Sequence, residues 1–157
     1  MKTPHKRKFI LAFVSLGAAM GLVSCGVGYD TTDTDGGSIP RGEVKKVEKV
    51  IDDYHAAMSD PNGANWDLIR SDIACGGSSL HKKATTKIGG NQRSEVDYPG
   101  GDWELVEYTR MTKTSPHNWR AEYNSTYHSR KNGTSTTKAR VAMVYDNGNE
   151  LCLNAAI

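Results

Sequence analysis

The sequence predicts an α+β domain, with a long N-terminal helix and a second helix packed on one face of an antiparallel β-meander. Three observations predict it. Val44, Val47, Ile51, Tyr54 and Met58 recur at spacings of three and four, which draws one apolar stripe along a helix. Asp60-Pro61-Asn62-Gly63 then breaks the chain with strong turn chemistry. Beyond Trp103, strand-forming residues alternate between turns marked Asn132-Gly133 and Asn147-Gly148.

In chain order, the first 24 residues read as a lipoprotein signal peptide. Lys2, His5, Lys6, Arg7 and Lys8 make a basic start, and Phe9 to Val23 gives 15 residues without a charge. A membrane span needs about 20 apolar residues, so the run has the length of a secretory segment and not of a transmembrane helix. Leu22-Val23-Ser24-Cys25 resembles a bacterial lipobox, in which the cysteine sulfur takes a diacylglyceryl group and the preceding peptide is removed. That resemblance implies lipidation at Cys25, a membrane partner through the lipid, and residence on the extracytoplasmic face of the cell membrane. Four of the 20 basic residues leave with the signal, so 16 remain against 18 acidic ones. A mature net charge of −2 removes the electrostatic case for nucleic acid or a polybasic membrane patch.

The cysteines follow the same compartment logic. Cys25 goes to lipid, and Cys75 and Cys152 remain in a setting where disulfides form, so they are expected to pair. Residues 25–39 contain Gly26 to Gly37 (GVGYDTTDTDGG), which has little to bury and reads as a flexible linker. Asp33-Thr34-Asp35-Gly36 lacks the remaining acidic positions of a calcium loop. Residues 40–157 form the single α+β domain.

The first helix is expected from Pro40 to Ser59, and the second from an Asn65 cap to Cys75-Gly76-Gly77. Residues 78–101 carry too weak a pattern for an assignment. Asp102 to Lys113 reads as a strand with two registers open: Trp103, Leu105, Glu107 and Met111 inward, or Val106 and Tyr108 inward. For the next two strands a three-residue loop, Lys131-Asn132-Gly133, pairs Trp119 with Tyr145, Ala121 with Met143, Tyr123 with Val141 and Ser125 with Ala139. The same rule at Asp146-Asn147-Gly148 pairs Met143 with Leu151 and Val141 with Leu153. Cys152 then falls on the opposite face from Leu151 and Leu153, so its bridge must pass an edge or the back of the sheet.

Catalytic and cofactor motifs are absent from the sequence, and its histidines lack metal-ligand spacing. No cofactor or metal is expected. His55, beside the helix stripe, reads as a packing residue. The inward strand row offers no acid or base apart from Glu107, in one register only. Trp103, Trp119, Tyr123 and Tyr127 are candidates to line a small-ligand cavity or to fill the core.

Over residues 40–155 the order of elements, with a second helix ending at a cysteine and Cys152 following a turn, resembles bacterial lipoproteins of the nuclear transport factor 2-like superfamily, including its lumazine-binding-like group. Members usually carry tryptophan near the position of Asn149. The resemblance implies a curved, cone-like sheet around the long helix, with a cavity that is open or filled. The expected function is a non-catalytic binding or interaction module, with an envelope protein or a small apolar ligand as partner. The alternatives are a carrier of small hydrophobic ligands and an enzyme built on a buried Glu107.

Overall fold

The structure, a computed structural model, describes residues 28–61, 63–89 and 101–157. The signal peptide and Cys25 lie outside them, as do residues 90–100 of the unassigned stretch. The chain forms an α+β fold of three helices and a five-stranded mixed sheet, whose strands lie side by side in chain order: β1 (Asp30–Asp33), β2 (Gly101–Ser115), β3 (Asn118–Ser129), β4 (Ser135–Asp146) and β5 (Leu151–Ala156). No described helix is long and apolar enough to cross a membrane.

Helix α1 (Arg41–Met58) starts where expected, with Pro40 carbonyl oxygen accepting from the Glu43 and Val44 amides. Its whole predicted stripe is buried, and Val44, Val47 and Ile51 are fully so. Helix α2 (Trp66–Leu68) is capped by Asn65, whose side-chain oxygen accepts from the Leu68 amide at 3.1 Å. It runs on as a π-helical turn (Ile69–Ile73) that buries Ile69 and Ile73. The wider turn lets Ala74 leave in an extended conformation beside β5, with the Cys75 amide donating to the Leu153 carbonyl at 3.0 Å. Cys75 and Cys152 are joined there, with Cα atoms 4.9 Å apart. The bridge therefore crosses at the sheet edge.

Helix α3 (Ser79–Gly89) fills part of the unassigned stretch. Ser78 caps it, its hydroxyl accepting from the His81 amide, and Leu80 and Ala84 seat it on the core.

Strand β1 (Asp30–Asp33) corrects the linker reading of 25–39 and adds a parallel strand to an otherwise antiparallel sheet, pairing with Arg110 to Lys113 of β2. Its end is set by Asp33, whose carboxylate accepts from the Asp35 and Gly37 amides. Tyr29 pins the segment by stacking on Tyr108 and donating to Glu48. Such a strand is held by its backbone and one aromatic ring, which explains its polar sequence.

Strand β2 (Gly101–Ser115) resolves its two registers by using both. Bulges between Leu105 and Glu107, and between Tyr108 and Arg110, shift the phase. Trp103, Leu105, Tyr108 and Met111 thereby pack on the core in turn, while Glu107 and Val106 are exposed. Glu107 accepts from the Asn124 side chain on the outer face, so the buried-Glu107 enzyme lacks its buried acid.

The hairpin of β3 (Asn118–Ser129) and β4 (Ser135–Asp146) corrects the expected register by one residue. Trp119 pairs with Val144, Ala121 with Ala142, Tyr123 with Arg140 and Ser125 with Lys138. The loop has four residues, Arg130 to Gly133, closed by reciprocal bonds of Ser129 with Gly133 and Thr134. Gly133 takes the expected left-handed conformation, at φ 67°. On the outer face, hydrogen bonds between Thr126 and Thr137 (2.7 Å) and between His128 and Ser135 (2.8 Å) fit this register alone. Strand β5 (Leu151–Ala156) follows another four-residue loop, with Leu153 opposite Val144 and Cys152 opposite Tyr145. Leu153 is buried as expected; Met143 and Val141 are not on the core face.

Candidate functional site

The corrected register turns Arg140 inward, opposite Tyr123, and this builds the site. A recess of about 80 Å³ lies between the C-terminal half of α1, the sheet and α3. Helix α1 lines it with Tyr54, His55 and Met58. Trp103 of β2, Tyr123 of β3, Arg140 of β4 and Ala156 of β5 face them, and Lys83 of α3 stands at the side. Tyr54 and Met58 are there because the stripe repeats every three or four residues, and His55 sits next to that stripe.

His55 is 7% exposed and sits among rings, 5.6 Å from Tyr54, 6.4 Å from Trp103 and 5.3 Å from Tyr123 between centroids. Both its ring nitrogens are shut from solvent, with no hydrogen-bond partner among the described residues. A buried polar group normally finds a partner, and leaving one without costs about 1–3 kcal/mol. Burial lowers the His55 pKa to about 4, and the Arg140 charge adds to the effect. Burial raises the Tyr123 hydroxyl, so it stays protonated.

Lys83 and Arg140 are the cations of the recess, and no carboxylate lines it. Among the described residues neither forms an ion pair. Lys83 lies 5.5 Å from the Trp66 ring centre and Arg140 lies 4.9 Å from that of Trp103. Burial lowers the lysine pKa, and repulsion from Lys87 and Arg140 adds to it.

Of the four aromatic candidates, the fold brings Trp103 and Tyr123 into the recess. Tyr127 stacks on Trp103 at 5.2 Å without lining it. Trp119 is buried farther along the sheet, beneath Lys113 at 5.0 Å. Sequence reasoning missed Arg140, Lys83 and Ala156. Arg140 was hidden by the register, and Lys83 by the lack of an assignment for α3.

Elsewhere, Glu104, His128 and Ser135 form a chain, with His128 bonded to Ser135 at 2.8 Å and to Glu104 at 3.0 Å. It has the order of a nucleophile, base and carboxylate, but lies on the outer sheet face with all three side chains accessible to water. A wider depression of about 450 Å³ between α1 and α2 is lined by Asp53, Asp60 and Asp72 and has no aromatic wall. No group of residues with metal-binding arrangement occurs among the described residues.

The burial of neutral His55 has a pH consequence. Its folded pKa lies below the ordinary value of 6.5, so the unfolded chain binds the proton more tightly. Its stabilising share is complete above pH 6.5 and is lost as pH falls toward 4, by about 1.4 kcal/mol per unit at most. Urea unfolding from pH 7 to 4.5 is expected to show this slope, and His55→Phe to flatten it. An unchanged slope in His55→Phe would show that His55 is already protonated or solvated in the fold.

No protein-family model matches the chain, and no curated protein matches it. Among solved structures it is similar to the intermembrane space region of the chloroplast protein ARC6, at 10% identity, over 75% of this chain and 97% of that one. The TM-score is 0.47, a likeness that carries no argument for fold or function.

Proposed function

We propose that this chain is a lipid-anchored cell-envelope protein whose α+β domain is a non-catalytic binding module, with the recess at His55 as its seat. The observation that carries the reading is a concave site walled by Tyr54, Trp103 and Tyr123, containing a buried histidine whose two nitrogens have no hydrogen-bond partner among the described residues. A long helix against an antiparallel meander supports the nuclear transport factor 2-like assignment as part of the same proposal. The lipobox supports the anchor, and the disulfide fits an oxidising compartment. A carrier of small apolar ligands is the second reading, favoured by the rings of Tyr54, Trp103 and Tyr123 at the recess. Its size weighs against a bulky cargo: a dry cavity that takes benzene measures about 150 Å³, and this one is about 80 Å³.

Two arms of one experiment test the proposal. Cys25→Ala is expected to move the protein out of the membrane fraction or leave its leader uncleaved, since two acyl chains hold where one binds marginally. Small neutral fragments such as butyramide, titrated into the full chain, are expected to shift the Trp103 indole and Tyr123 ring resonances. Ala156→Leu, which fills the recess, should abolish those shifts. Wild-type protein without lipid sinks the anchor, and the binding module falls if no small fragment, neutral or charged, gives shifts that Ala156→Leu removes.

A further inference from the structure

We infer that the recess selects a small monocarboxylate, of about two to four carbons, whose carboxylate sits on Arg140 and Lys83. The inference rests on the recess being a binding seat, and it adds the chemistry of the ligand. Three observations lead to it. The first is charge: two cations from different elements, β4 and α3, line one small recess, and none of its lining side chains is acidic. Neither is in an ion pair among the described residues, although carboxylates are plentiful on this chain, with 18 in all.

The second is position. Arg140 is half-buried at the recess, with its guanidinium carbon over the Trp103 ring, 4.9 Å from the ring centre. A planar fork of donors fits a carboxylate with two parallel hydrogen bonds, a match that a lone ammonium cannot make. Lys83 is exposed at the side of the recess and adds a second, mobile charge. Its like-charge neighbours Arg140 and Lys87 repel it, and a bound anion relieves that repulsion.

The third is size and wall. About 80 Å³ holds the bulk of roughly three waters, enough for a short aliphatic tail but not for an aromatic ring. Tyr54, Met58, Trp103 and Tyr123 give that tail an apolar surface. A bare phosphate would leave this surface unused, whereas a short-chain carboxylate uses both halves.

The test is titration of the full chain with butyrate, its neutral isostere butyramide, and inorganic phosphate, followed through the Arg140 Nε and Trp103 indole signals. Butyrate is expected to bind saturably and at least tenfold more tightly than butyramide. Arg140→Gln should lose at least tenfold for butyrate while keeping the butyramide affinity. Lys83→Gln, an exposed helix position that leaves the fold intact, should lose a smaller factor and keep the folded spectrum. Equal binding of butyrate and butyramide overturns the carboxylate inference but leaves the binding seat standing. So does an affinity for butyrate that survives both substitutions. Phosphate outcompeting butyrate also overturns it, pointing to an anion without a tail. If neither butyrate nor butyramide binds, the inference and the seat itself fall together.

Discussion

Replacing Cys75 and Cys152 together by alanine is expected to lower the unfolding free energy by roughly 2–5 kcal/mol. The two residues are 77 apart in sequence, and a closed loop of that size gives about 4.5 kcal/mol in the chain-entropy account, an upper figure. Against a domain stability of about 5–15 kcal/mol, this is a large share. The position adds to the expectation. The bridge ties the end of the π-helical turn to edge strand β5, beside the Ala74–Leu153 bridge and the hydrogen bond of the Cys75 amide to the Leu153 carbonyl. Losing the link exposes the edge and loosens Ile69, Ile73 and Leu153 in the core together. Urea unfolding of the double variant against wild type measures the loss. A change below about 1 kcal/mol would mean that the unfolded chain stays compact without the bridge.

What the sequence disclosed depended on how cleanly each element separates its two faces. Helix α1 is legible because charges surround its stripe, and every predicted stripe residue is buried. Strand β3 is legible too: Trp119, Ala121, Tyr123 and Ser125 alternate with polar neighbours and face the core. Strand β4 is not, because residues 141–145 (VAMVY) are apolar at every position and carry no period of two. Large Met143 and Tyr145 invite the inward reading, while the fold buries the smaller Ala142 and Val144. The polar rungs Thr126–Thr137 and His128–Ser135 held the information that decides it.

The site was obscured by the same shift. Turning β4 by one residue sends Arg140 from the outer face to the recess, so the basic character of the site was unreadable without the register. Helix α3 was faint because Leu80, Ala84 and Ile88 are few and partly small, although they repeat every four residues after a Ser78 cap. Strand β1 had no hydrophobic signal to give, since DTTD is held by parallel backbone pairing.

The register and the core are tested together by a pair of truncations. Ile51→Ala is expected to cost about 2–5 kcal/mol, as for other fully buried aliphatic side chains. Ile51 is 0% exposed in the middle of the α1 stripe, and the cavity it leaves is walled by helix and sheet, so it cannot collapse. Met143→Ala is expected to cost less than about 2 kcal/mol, because Met143 lies half-exposed on the outer face opposite Arg120. The register first expected from the sequence makes the opposite forecast, with Met143 under α1 and as costly as Ile51. Urea midpoints for the two variants, read at one pH above 7 so that His55 stays neutral, separate the two pairings. If Met143→Ala proves as damaging as Ile51→Ala, the four-residue loop is wrong. Arg140 then returns to the outer face, and the cationic recess goes with it.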